Sequence, residues 1–232
     1  MSSSKGQTSV VLVHGAWADG SSWNDVTGPL LSKGLAVLAA PLPLTSLSDD
    51  VAALDRALER TDGQVVLVAH AYAGAVIAAT ANERIRSLVF IAALAPDEGE
   101  TVADVFYRGQ QHPQAPALAP DTHGFIWMPR DGFGTAFSQH ASADRAALLA
   151  ATQRPIAVAC IQEKAPRPIW KVKPSWYLIA EEDRMIDPAT QRFMAERMGA
   201  RIRSEKVDHT PLVSAPEPVI EVILDAATNP TA

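Results

Sequence analysis

Five consecutive apolar residues at 65–69 (VVLVA) are followed, after His70, Ala71 and Tyr72, by a second run of small and aliphatic residues at 73–79. The first run, short and rich in β-branched side chains, predicts a buried strand; the second predicts a buried helix. The same short apolar run recurs at 9–13, 35–40, 87–93 and 175–180, and a last strand is read at 201–207. Helical spacing fills the gaps between them. Trp23, Val26, Leu30 and Leu31 share one face of a helix capped by Ser21 or Ser22 and stopped by Gly34. Ser48 reads as the cap of a helix that starts at Asp49 and Asp50, buries Val51, Leu54 and Leu58, and carries Arg56 and Arg60 late, as the helix dipole favours. Asp187-Pro188 opens another helix that Gly199 ends, and the last helix spans 218–227. Strands that are continuously apolar and separated by helices mark a parallel sheet covered on both faces. The fold class expected is therefore α/β.

Between Pro96 and about Lys173 the pattern breaks. Eight prolines, three histidines and aromatic residues including Phe106, Tyr107, Phe125, Trp127, Phe133, Phe137 and Trp170 fall there, with a short helix at 141–152 and no strand of the earlier kind. Aromatic side chains generally bury against something. The stretch is therefore read as a cap folded over the ligand-binding edge of the sheet rather than as a set of surface loops. Residues 1–95 and 174–232 then form the core and 96–173 the cap.

Composition narrows the class of partner. Twenty basic residues against 26 acidic ones leave a net charge of −6, which argues against nucleic acid or an anionic membrane. The one cysteine, Cys160, excludes an internal disulfide and sits in an apolar run that reads as packing. Residues 1–8 are polar and expected to fray, no signal-peptide pattern opens the chain, and no apolar run is long enough to span a bilayer. A soluble, cytoplasmic protein acting on a small molecule is the expectation; the oligomeric state is not legible.

Strand, sharp turn and buried helix at 65–79 are the setting of a nucleophile elbow, whose usual form is G-x-S-x-G. Here the five residues are Ala69, His70, Ala71, Tyr72 and Ala73, so the position that should carry a hydroxyl carries a methyl group. A hydrolytic site of this kind also needs a base, an acid to orient it, and donors for an oxyanion. His209, two residues past the final strand, suits the base. Asp183, three residues past Ala180, suits the acid, since its competitor Asp187 has a helix cap to form. The donors would be the backbone N–H groups of Ala16, in the His14-Gly15-Ala16-Trp17 turn, and of Tyr72. His14 belongs to the first strand turn, His70 points away from the apex, and His112, His123 and His140 show no metal-like spacing, so no metal site is expected.

The order of position 71, Asp183 and His209 along the chain is that of the α/β-hydrolases. The segments VLVHGAWADGSSW, VVLVAHAYAGAVI, IAALAPDEGET, ATQRPIA, PSWYLIAEEDRMIDPATQRFMAERMGA and DHTPLVSAPEPV resemble the small bacterial esterases of that superfamily, related to plant methylesterases and hydroxynitrile lyases. The resemblance implies a six-stranded, mostly parallel sheet with an inserted cap, and a carboxylic ester hydrolase that needs no cofactor. Small apolar or aromatic esters would be its substrates. Trp17, Trp127 and Trp170 are pocket candidates, and Lys171 could place a charge over the pocket as a lysine does in the related lyases. Alanine at 69 and 73 also departs from the usual glycines. Two readings of Ala71 stand: a serine replaced to trap an uncleaved ligand, favoured because His209, Asp183 and the HG turn are all kept, or a natural alanine. The natural case would make the chain a non-catalytic small-molecule binder, or a lyase or cofactor-free enzyme using His209 and Asp183 as general base.

Overall fold

β1 (Ser9–Val13) is buried along its whole length and ends in the His14–Trp17 turn. The computed structural model describes residues 8–229; the expectation of fraying at 1–8 lies, but for Thr8, outside them. A short 3₁₀ turn capped by Asp19 leads into α1 (Asn24–Ser32), so Ser21 and Ser22 lie inside the turn instead of capping the helix. β2 (Ala36–Ala40) follows, and then α2 (Leu47–Leu58). The cap of α2 is Ser46, whose side chain accepts the Asp49 N–H at 3.0 Å; Ser48, expected as the cap, sits in the first turn. β3 (Val65–His70) turns directly into α3 (Ala73–Ala79), and β4 (Ile85–Ile91) completes the first half.

The stretch from 96 to 173 contributes no strand to the main sheet. It holds α4 (Val102–Phe106), β5 (Phe125–Ile126), α5 (Arg130–Gly132) running into a π turn at Phe133–Phe137, α6 (Ala143–Thr152), β6 (Ile156–Ala157) and α7 (Val158–Gln162). β5 and β6 pair antiparallel as a two-residue ladder too short to leave a periodic signal. The core resumes with β7 (Ser175–Ala180), α8 (Pro188–Arg197), β8 (Arg201–Glu205), α9 (Pro211–Ser214) and α10 (Pro216–Thr228).

The six long strands form one parallel sheet in the order β2-β1-β3-β4-β7-β8. Alternate side chains serve opposite layers, as the two-residue period of a strand requires. Val11, Val13, Leu67 and Ala69 join the core shared with α2 and α3, and Val10, Leu12, Val66 and Val68 join the one shared with α1 and α10. The outer strands β2 and β8 are partly exposed, and in β8 Arg201, Ile202 and Ser204 face solvent. Because β1 lies between β2 and β3, the chain reverses its direction of travel across the sheet there. A crevice opens at the carboxyl ends of strands at such a reversal. No helix among the described residues is long and apolar enough to cross a membrane.

The elbow is tight enough to require glycine. A Cβ on Gly74 would overlap the Leu94 carbonyl oxygen and stand 3.0 Å from Ala93 Cβ, whereas one on Gly28, in the exposed part of α1, meets nothing within 4 Å. Gly74→Ala is therefore expected to cost about 1–3 kcal/mol, read as a shift of the urea unfolding midpoint.

Candidate active site

Five strand ends converge on one cavity, Leu94 entering it after β4. β1 supplies Ala16 and Trp17, β3 supplies Ala71 and Tyr72, and the loops after β7 and β8 supply Met185, Ile186 and His209. From the 96–173 stretch come Val102, Phe106, Tyr107, Ile126, Phe137 and Ile156. The space measures about 620 Å³ including its open mouth, and its walls are almost wholly apolar.

Ala71 occupies a strained position. Its φ of 51° is left-handed, a region an L side chain enters at a cost of about 1 kcal/mol or more. The turn is held on both sides: Ala71 donates its N–H to Ile91 O at 3.3 Å, and its carbonyl accepts the Leu94 N–H at 2.9 Å. Gly15 closes over it so tightly that a Cβ there would lie 2.9 Å from both Ala71 Cβ and His70 O. Trp17, Leu44 and Ala92 also have positive φ, and Trp17 shares the cavity wall with Ala71.

Asp183 and His209 meet in the interior. His209 Nδ1 donates to Asp183 Oδ2 at 2.8 Å, with both side chains almost fully buried. The rest of the carboxylate is filled by the N–H groups of Met185 and Ile186 at 2.7 and 2.9 Å and by Gln191 Nε2 at 2.7 Å. With Nδ1 carrying the proton, the bare Nε2 of His209 is the face left for the cavity it lines. Asp187, the competitor for the acid's role, caps α8 by accepting the Ala189 N–H at 3.0 Å.

The supporting layer was less legible. His70 Nε2 donates to the His209 carbonyl at 2.7 Å, and its ring lies tilted with its centroid 4.8 Å from that of His209. His14 donates from Nδ1 to Gly15 O at 2.9 Å and accepts the Leu42 N–H on Nε2 at 3.0 Å, which fixes a neutral tautomer. Phe137 packs edge-on against Trp17 and His70 and tilts over His209 at 5.3 Å. Asp208, next to His209, accepts the His140 N–H at 2.9 Å, so the 96–173 stretch is tied to the His209 loop. Only a histidine one residue before the apex hinted at this layer, and sequence spacing cannot show a contact across 139 residues.

The two expected oxyanion donors lie on the cavity wall, and among the described residues neither the Ala16 nor the Tyr72 N–H has an acceptor. Of the tryptophans, Trp17 lines the cavity, with its Nε1 donating to Ile126 O at 2.9 Å. Trp127 does not: it is half exposed and donates to Asp121 at the surface. Trp170 is buried away from the cavity, beneath Arg197 and Lys171. Lys171 pairs with Asp97 instead of standing over the pocket. Among the described residues no group of three or more histidine, cysteine or acidic side chains is placed to hold a metal ion.

The sequence model of the alpha/beta hydrolase family matches residues 10–222. A pyrethroid hydrolase from Sphingobium faniae superposes with a TM-score of 0.82 at 20% identity, over 97% of this chain and 99% of that one. Polyneuridine aldehyde esterase gives 0.78 at 21%, over 95% and 99%. A methylesterase from Arabidopsis gives 0.76 at 18%, over 96% and 99%. At such identities the likeness is one of fold. No curated protein matches the chain.

Burial lowers the pKa of both His14 and His70 below the ordinary 6.5, and the neighbouring His209 lowers His70 further. The unfolded chain protonates these rings near 6.5 while the folded chain resists, so the folded state binds fewer protons and loses stability as pH falls below about 6.5. Urea unfolding between pH 7 and 5.5 should show that decline. His70→Gln, whose amide can still donate to the His209 carbonyl, should flatten the slope by about one proton.

Proposed function

The chain belongs to the alpha/beta hydrolase family, and we propose that its site is built for serine-type hydrolysis of small carboxylic esters, with alanine standing where the nucleophile belongs. One observation carries the reading: a strained, left-handed residue 71 and a buried His209–Asp183 pair open on the same apolar cavity. Strain of that kind persists where the presentation of a side chain matters. A methyl group gains nothing from it; a hydroxyl would.

With serine at position 71, its Oγ attacks the ester carbonyl while His209 Nε2 takes the proton and later returns it to the leaving alcohol. Asp183 holds the imidazole in the required tautomer and stabilises the imidazolium that forms. The free N–H groups of Ala16 and Tyr72 receive the oxyanion. The 96–173 stretch acts as the cap, supplying the wall opposite the elbow. Apolar walls suit a small apolar or aromatic ester. The similar structures named as a pyrethroid hydrolase, a polyneuridine aldehyde esterase and a methylesterase support the class of bond. No cofactor enters this chemistry.

The missing hydroxyl itself favours a second reading. As it stands, the chain would bind a ligand without turnover, or would use His209 as a general base in a lyase-type or cofactor-free reaction. The deciding experiment compares the chain with its Ala71→Ser variant. The variant should hydrolyse short-chain aryl esters roughly 10³-fold or more faster, label at position 71 with a fluorophosphonate, and lose activity on a further His209→Ala change. Turnover with Ala71 in place that His209→Ala abolishes would establish the general-base reading instead. Saturable ligand binding without turnover by either form would make the protein a binder.

A further inference from the structure

Asp50 is wholly buried in the first turn of α2 and is not part of the cavity wall. Its Oδ1 accepts the Leu44 N–H at 2.7 Å; its Oδ2 accepts the Tyr72 hydroxyl at 2.7 Å and the Cys160 thiol at 3.7 Å. Among the described residues no basic side chain pairs with it. Burial pushes the Asp50 carboxyl up, the Cys160 thiol up to about 12 and the Tyr72 hydroxyl higher still, so the tyrosine and the thiol keep their protons and donate. An acid buried without a counter-charge is costly, and an apolar residue would fill the same space. What the carboxylate adds is a junction. Leu44, strained at φ 60°, donates to it and accepts the Ala157 N–H at 3.0 Å, so the β2–α2 loop, the 156–160 segment and the elbow meet at one side chain.

Only one of these three partners touches the chemistry. Tyr72 follows residue 71 and lines the cavity, and its N–H lacks an acceptor. The direction of that N–H is set by the 71–72 peptide plane, whose carbonyl end is held by the N–H groups of Leu94 and Gly74; the Tyr72 side chain, anchored at its hydroxyl, adds a constraint from the N–H end. We propose that Asp50 is a positioning residue for the oxyanion hole, holding the Tyr72 N–H at its working angle through the Tyr72 hydroxyl. The inference rests on the proposed ester hydrolysis. A donor to the oxyanion is felt in the transition state and hardly in the bound ester, so a disturbed angle lowers kcat and spares KM.

The test uses the Ala71→Ser chain as parent. Tyr72→Phe keeps the ring and deletes the bond; Asp50→Asn keeps the shape and the acceptor for Leu44 but sets an NH2 donor against the Tyr72 hydroxyl and the Cys160 thiol, which lose the acceptor of their protons. Each is expected to lower kcat about 10-fold with KM within about twofold, and the double variant to be no slower than the slower single. Singles within about twofold of the parent kcat, or losses that multiply in the double variant, would overturn the inference. A second measurement needs no turnover. In the chain with Ala71 in place, Asp50→Asn should move the Tyr72 amide resonance and speed its hydrogen exchange, leaving the α10 amides unchanged; an unmoved Tyr72 amide would overturn it. If Asp50→Asn does not fold, Tyr72→Phe read at the Ala73 amide takes its place, with the same two outcomes. An Ala71→Ser chain that hydrolyses no ester would remove the proposed function alone, and the amide measurement would still decide the role of Asp50.

Discussion

The turn at Ala71 can exist only because three backbones close on it. β3 must pass into α3 within two residues, which forces residue 71 to a φ of 51°. The carbonyl of that residue is then taken by the Leu94 N–H, and the space above and below it is left by Gly15 and Gly74. Larger residues at either glycine would push apart β1, β3 and the chain after β4, the strands that frame the crevice. The small residues around the elbow are thus a condition of the sheet's upper edge, and the cavity inherits its floor from them.

Around that floor the polar groups are arranged so that few charges need water. His14 and His70 are buried neutral, each committed to a backbone partner, and both lie against the turns that carry Ala16 and His209. Asp183 is satisfied by four donors and Asp50 by three. In a site with apolar walls, hydrogen bonds and dipoles act at lower dielectric than in water, so their directions matter more. The 96–173 stretch contributes to this dryness. Phe137 covers His209 and His70, Ile126 O anchors the Trp17 indole, and Arg154 O holds the Trp17 N–H at 3.0 Å.

Local sequence pattern determined the strands, their parallel pairing and the residues at their carboxyl ends. Those signals are short-range: an unbroken apolar run, a proline after an aspartate, a glycine after a helix. They therefore placed Ala71, Asp183 and His209 just past the ends of β3, β7 and β8, and the structure brings the last two within 2.8 Å. The cap read at Ser48 for Ser46, two residues out, arose because both serines offer the same hydroxyl and only the backbone conformation chooses between them.

Which side chains face the cavity was decided by tertiary structure alone. Trp127 and Trp170 have the same apolar character as Trp17, yet one turned to solvent and the other to the cations of Lys171 and Arg197. The 96–173 stretch has no regular period, so direction there follows from contacts with the core and not from spacing. The same holds for Asp50, which reads as a helix N-terminal acid and is in fact a buried junction with Tyr72, 22 residues on, and Cys160, 110 residues on. Composition and period determine which segments pack. The meeting of distant side chains depends on the closed shape of the whole chain, and no window of sequence contains it.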